Sequence, residues 1–212
     1  ASVNPIRYLG AEPIFMDCDN SLCLDPEKLQ EFCRKECVMA AGRLTQRHTG
    51  RPIKAVLPVH IFGNLADMEA IMDIAHEYRL KVIEDAAEAL GSYYTTGRLA
   101  GRFAGTIGDL GVFSFNGNKI ITTGGGGIVV SRQRGLLDRA RHLTTQAKCD
   151  NLRSIHDEVG FNYRMTNLQA ALGLAQFEQL ESFIEVKTNN YRQYQRRLDG
   201  IPGVRLLSYR EG

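Results

Sequence analysis

The sequence has no run approaching the roughly 18 consecutive apolar residues that a membrane-spanning helix needs. Its first residues, ASVNPIRYLG, also lack the charged-then-apolar pattern of a signal peptide. A soluble, cytoplasmic protein with no membrane partner is the expectation. Nor is one sign of charge in excess: 26 Lys and Arg stand against 24 Asp and Glu, a formal +2. The signs interleave apart from a cluster at Arg132, Arg134, Arg139 and Arg141, which reads as a solvated helix face, so no nucleic-acid partner is expected. Five cysteines make an odd count without secretory signals, which argues against a disulfide framework. Cys33 and Cys37 would share a helix face as reduced thiols, and with Cys18 and Cys23 they match no common zinc spacing, so no metal is expected. The GxxxxGK[ST] order of a phosphate loop is missing too. Lys119 precedes the glycine run instead of following it, and nucleotide hydrolysis loses its main support.

What is present, 43% hydrophobic and 24% charged residues over 212 positions, is enough for one sizeable core. Apolar runs and helical periods alternate, the pattern of an α/β layered fold with a mostly parallel sheet. PIFMD (13–17) reads as a short strand. DPEKLQEFCRKECV (25–38) reads as a helix with Asp25 at its N-cap and Pro26 in its first turn. IKAVLPV (53–59) is a buried strand, ADMEAIMDIAHEYR (66–79) an amphipathic helix, and KVIED (81–85) a strand ending on two carboxylates. LGVFSF (110–115) and GIVVS (127–131) are strands flanking the lysine loop, and a helix follows at about 132–144. Residues 145–163 look irregular, a candidate excursion toward a partner or ligand. A long helical pattern from Thr166 to Leu198 predicts an interdomain helix, so the expected division is a large domain over 1–165, that helix over 166–198, and the start of a second domain at 199–212.

In an open parallel sheet, ligands sit outside the carboxyl ends of strands, where both Asp85 and Lys119 fall. The small residues after Asp85, in AAEALG, let a ligand lie close to the backbone; the alternative for Asp85 is a helix N-cap. For Lys119 the alternative is a solvated lysine in a flexible linker, but TGGGGIVVS runs straight into a strand, which favours close packing. A lysine in a desolvated site can form a Schiff base with an aldehyde, and a fixed carboxylate can keep a pyridine nitrogen protonated. Those are the two protein groups that pyridoxal phosphate needs most. Ser114, five residues before Lys119, is either a phosphate ligand or a plain strand serine.

IEDAAEALGSYY, GDLGVFSFNGNKIITTGGGGIVVS and GFNYRMTNLQAALGLAQFEQL resemble, in order and spacing, the pyridoxal-phosphate-dependent sugar aminotransferases of the DegT/DnrJ/EryC1/StrS family. The likeness covers nearly the whole chain. It implies the three-layer α/β/α large domain of the aspartate aminotransferase fold, with a mostly parallel sheet, incomplete at both ends because members run to nearly twice this length. The missing N-terminal part would supply further phosphate contacts, and the missing C-terminal part the small domain. By motif position Lys119 would carry the Schiff base, Asp85 would pair with the pyridine nitrogen, Glu88 would sit by the ring and its 3′-hydroxyl, and Ser114 would bind the phosphate. Asn162 would reach the cofactor phosphate of a neighbouring subunit, making a homodimer with shared active sites. The substrates implied are a nucleotide sugar and an amino-acid donor, L-glutamate. TTQAK (144–148) and NGNKIITTGGGG point within the family to C4 amination of a UDP-linked 4-keto-6-deoxy-N-acetylhexosamine, as in legionaminic acid or bacillosamine pathways. A GDP-perosamine type, a C3-aminating enzyme, and a catalytically silent cofactor-binding regulator remain alternatives. His60, in PVHIFG, falls near the substrate side by the same resemblance, or is hydrogen-bonded structure.

Overall fold

A computed structural model describes residues 1–150 and 152–208, which fall into two compact units: residues 1–111 with 207 and 208, and residues 112–206. The chain is mixed α/β, as the alternation predicts.

In the first unit a short helix, α1 (Asn4–Tyr8), precedes α2 (Pro26–Glu36). The Asp25 side chain accepts from the N–H groups of Glu27 and Lys28, at 2.9 and 3.3 Å, and Pro26 fills the first turn, where its missing N–H costs nothing. The expected strand at 13–17 does not form: Ile14 and Phe15 lie exposed, and only an isolated bridge between Cys18 and Leu24 closes this stretch. The expected helix at 25–38 stops two residues early. Its end turns directly into a hairpin of β1 (Cys37–Ala40) and β2 (Arg43–Gln46), paired from Cys37↔Gln46 to Ala40↔Arg43. The two linking residues, Ala41 and Gly42, have φ of +48° and +75°, the left-handed pair that a tight hairpin requires.

A βαβ stretch then places the candidate carboxylates. β3 (Ala55–Val56) runs parallel to β4 (Lys81–Asp85), and the pairing resumes as a bridge between Val59 and Asp85. The expected strand over 53–59 is thus mostly extended chain, interrupted where Pro58 has no N–H to give. Between the strands lie a 3₁₀ turn (Ile61–Gly63) and α3 (Met68–Tyr78), started by Asp67, whose carboxylate accepts from the Ala70 N–H at 3.1 Å. Met68, Ile71, Ile74 and Ala75 form the buried face of α3. Each of the three large side chains contributes about 1.5–3 kcal/mol by leaving water.

β5 (Leu110–Ser114) begins in the first unit and ends in the second, which continues with β6 (Gly127–Val130) and α4 (Arg134–Thr144). The segment expected to be irregular holds a small antiparallel pair, β7 (Lys148–Asp150) and β8 (Ile155–His156). The long pattern from Thr166 resolves into α5 (Asn167–Phe177) and α6 (Leu180–Leu198), broken where Gln179 leaves helical geometry at φ −106°, ψ 3°. A capping box starts α5: the Thr166 hydroxyl accepts from the Gln169 N–H while the Gln169 side chain accepts from the Thr166 N–H. Residues 203–208, in the expected start of a second domain, form no strand or helix, and 209–212 lie outside the described residues.

Candidate active site

Side chains alternate along β4, so its two terminal carboxylates face opposite ways. Glu84 is fully buried and Asp85 half-buried. Glu84 takes four donors: the N–H groups of Ile107 and Gly108 on Oε1, at 2.7 and 2.6 Å, and the N–H of Gly105 with His60 Nε2 on Oε2, at 2.9 and 3.1 Å. Burial alone would push this carboxyl up, but His60 and the N–H groups of Gly108 and Ile107 outweigh it and hold Glu84 below the ordinary carboxylate range. His60 is fully buried as well. Its Nδ1 accepts from the Ala66 N–H at 3.1 Å, which leaves the proton on Nε2 for Glu84. Of the two readings of His60, hydrogen-bonded structure is the one its surroundings support.

Asp85 is arranged differently. Its backbone is locked in the parallel pairing, donating N–H to Pro58 C=O at 2.9 Å and accepting from the His60 N–H at 3.0 Å. Its carboxylate accepts the Ala87 N–H on Oδ1 at 3.0 Å and the Ser2 hydroxyl on Oδ2 at 2.5 Å. The local bond to Ala87 is of the capping kind, yet no helix follows. The chain makes a turn through the buried residues Ala86 and Ala89. Glu88, exposed on that turn, accepts the Phe62 N–H on Oε2 at 2.8 Å. Phe62 is 67% exposed and holds a left-handed φ of +56°, rare for an aromatic residue and costing about 1–3 kcal/mol. Asp85 and Glu88 therefore share one strand-end turn, as the sequence implies.

In the second unit Ser114 ends β5, its hydroxyl accepting the Asn116 N–H at 3.3 Å. Lys119 follows, half-buried, in a loop tied at its stem: Phe115 N–H donates to Gly126 C=O at 2.9 Å, and Thr123 N–H to Phe115 C=O at 3.0 Å. Gln176 on α5 grips the loop like a strand partner, accepting Thr122 N–H and donating to Thr122 C=O, both at 2.9 Å. This is no free linker, and the glycines fit that role. Gly124 and Gly126 hold positive φ, and a Cβ on Gly127 would lie 2.4 Å from Phe113 C=O. Asn162 sits exposed on an extended stretch bridged to Thr145 and flanked by stacked Phe161 and Tyr163 rings, 5.0 Å apart.

Ser2, Phe62 and Gln176 were not identified from sequence, and Glu84 was read only as one of the two carboxylates that end KVIED. The strict alternation in KVIED carries the signal for Glu84; the others act through space, and no local pattern marks them. His142, Asp157 and Glu158 bring ligand atoms within 4.8 Å of one another, but both oxygens of Glu158 are engaged by Arg139, which already supplies positive charge there. Surface depressions of about 520 Å³ along Asn189–Arg197 and about 340 Å³ beside Arg43 and Arg79 contain none of the candidate residues.

Within each unit the residues suit pyridoxal phosphate. An ionised carboxylate offers about four lone-pair positions, and two donors on Asp85 leave room for a ring N–H. Ser114 and Lys119 present a hydroxyl and an amine from one tied loop.

The family model of the DegT/DnrJ/EryC1/StrS aminotransferases matches residues 1–211. GDP-perosamine synthase of Escherichia coli O157:H7 is 42% identical over 204 residues, covering 96% of this chain and 50% of the relative. GDP-perosamine synthase of Caulobacter vibrioides is 39% identical over 199 residues, covering 93% and 48%. Among solved structures, DesV of S. venezuelae superposes with a TM-score of 0.82 at 27% identity, covering 99% of this chain and 51% of that one. The fold is therefore the expected one of pyridoxal-phosphate transferases, with a mostly parallel sheet. The chain spans about half the length of the curated relatives it matches.

Proposed function

The chain belongs to the DegT/DnrJ/EryC1/StrS aminotransferase family, whose members depend on pyridoxal phosphate, and from that premise we propose that it serves a nucleotide-sugar aminotransferase. The reaction moves an amino group from an amino acid, L-glutamate in this reading, to the C4 keto carbon of a nucleotide-linked 4-keto-6-deoxy sugar. The observation that carries it is the placement of Asp85 and of the Ser114–Lys119 loop, each at the carboxyl end of a strand.

When bound, the cofactor supplies an aldehyde that condenses with amines and a ring that takes up the electron pair of a broken C–H bond. Lys119 would hold the aldehyde through Nζ, and its amine would serve as the general base and acid that takes and returns the proton of the donor Cα. Asp85 keeps the ring nitrogen protonated. Glu88, whose carboxylate accepts the Phe62 N–H, would hold the 3′-hydroxyl, and Ser114 would hold the phosphate. Asn162 reaches the phosphate of a second copy's cofactor, so the working unit is a homodimer. In the same reading, residues 1–165 are part of the large domain, 166–198 lead to a small domain that begins at 199–212, and the enzyme works in the cytoplasm. No helix among the described residues is long and apolar enough to cross a membrane.

The names of the E. coli and C. vibrioides relatives weigh toward a GDP-linked sugar of the perosamine type. A UDP-linked N-acetylhexosamine is the second reading, favoured by TTQAK and NGNKIITTGGGG. The test is a glutamate half-reaction followed spectroscopically on the full-length protein, then a panel of GDP- and UDP-linked 4-keto-6-deoxy sugars. Turnover of a GDP sugar supports the first reading, and turnover of only UDP-N-acetylated sugars the second. A half-reaction that never proceeds, in protein that holds cofactor, would leave a silent cofactor-binding protein.

A further inference from the structure

We propose that Ser2 is a positioning residue that fixes the plane of the Asp85 carboxylate for the ring nitrogen of the cofactor; this rests on the reading of Asp85 given above. The Asp85 carboxylate has two donors. One, the Ala87 N–H, lies two residues on and is the bond that any aspartate makes at a turn. The other comes from a hydroxyl 83 residues away in sequence, at 2.5 Å, the short distance of a bond to a charged acceptor. Because an ionised carboxylate only accepts, the Ser2 hydroxyl must be the donor.

The two bonds differ in effect. The terminal torsion of an aspartate is broad, so one bond on Oδ1 leaves the carboxylate plane free to swing. A second bond on Oδ2, from a separate segment, pins that plane. Ser2 is itself held, half-buried, between Ala1 C=O, which accepts from Asn4 N–H at 3.2 Å, and Val3 C=O, which accepts from Ile6 N–H at 3.1 Å at the start of α1. Oδ1 and Oδ2 each keep a lone pair, and the pinned plane sets the direction from which a ring N–H can approach.

Positioning and charge predict opposite signs. The Ser2 hydroxyl draws charge from Oδ2, so by charge alone its loss would tighten Asp85's grip on the ring proton. By position, its loss loosens the grip. The test uses ¹⁵N-labelled pyridoxal phosphate bound to the full-length protein, reading the ring-nitrogen chemical shift against pH, with the cofactor dissociation constant measured alongside. Ser2→Ala is expected to lower the pH at which the ring nitrogen loses its proton by about one unit, roughly tenfold in the proton equilibrium. Cofactor binding should weaken by about three- to tenfold, the worth of roughly one hydrogen bond. Ser2→Thr, which keeps the hydroxyl, should retain the wild-type values. An unchanged or raised midpoint in Ser2→Ala, tighter cofactor binding, or the same loss in Ser2→Thr would overturn the proposal. Asp85→Asn separates the premise from the inference. Ring protonation that survives that change means that Asp85 is not the ring's partner, and Ser2 then falls with it; protonation lost in Asp85→Asn but untouched in Ser2→Ala overturns Ser2 alone.

Discussion

The helices α3 and α5 have the same length and opposite fates. Met68, Ile71, Ile74 and Ala75 bury one face of α3 within the first unit. No residue of α5, NLQAALGLAQF, is fully buried, and Leu168 is 85% exposed, with Leu172, Leu174 and Phe177 also exposed. The carboxylates differ in the same way: Glu84 has every donor it needs inside its own unit, while Asp85, one residue later, keeps acceptor capacity. The first unit thus holds a finished core around Glu84. The exposed apolar residues of α5 form a patch of the kind that marks a contact surface.

The contrast can be pressed at five positions. Lys119→Ala should reduce transamination by at least about 10²–10⁴-fold. Its melting temperature should stay near the wild type, because the loop stem is tied by backbone and Gln176 bonds that the side chain does not make. Glu84→Ala should cost about 3–5 kcal/mol in urea unfolding, since His60 and three N–H groups lose their acceptor. Asp85→Asn should cost far less stability while weakening the hold on the cofactor, and equal costs at the two positions would erase the distinction between neighbouring carboxylates.

Glu84 also gives the contrast a pH dependence. Its carboxyl is lowered in the folded chain from the ordinary value of 4.5, so its stabilisation is complete above that value and is lost as pH falls through the lower folded one. Wild-type stability should therefore decline on acidification below about pH 4.5, with a shallower decline in Glu84→Gln. Gly127→Ala, forcing a Cβ against Phe113 C=O, should destabilise by about 1–3 kcal/mol, read as a shift in the urea midpoint. Smallest of all, Leu168→Ser on α5 should change unfolding by less than about 0.5 kcal/mol while weakening self-association in sedimentation. A large loss of stability there would mean that α5 is covered within its own chain.

Much of this was legible before the structure. Asp25 with Pro26, the periodic face of α3 and the strand ends at Asp85 and Ser114 follow from local rules of capping, period and strand alternation, and each lies within a residue or two of its expected place. The hairpin at 37–46 was not read, because Ala41–Gly42 is a weaker turn signal than Asn-Gly and a cysteine-rich helical period ran up to it. The break at Gln179 was hidden for the opposite reason: nothing in LAQFEQLESF interrupts the helical composition. Motifs located the candidate residues, but not their supports. Ser2 and Gln176 contact the site chain from 83 and 54 residues away, a distance that no periodicity reports.

The most direct test is borohydride trapping of pyridoxal phosphate on the full-length protein, with the labelled peptide mapped by mass spectrometry. A single reduced adduct on Lys119, absent from Lys119→Ala, is the predicted result. A label on another lysine, or none in protein that binds the cofactor, would contradict it.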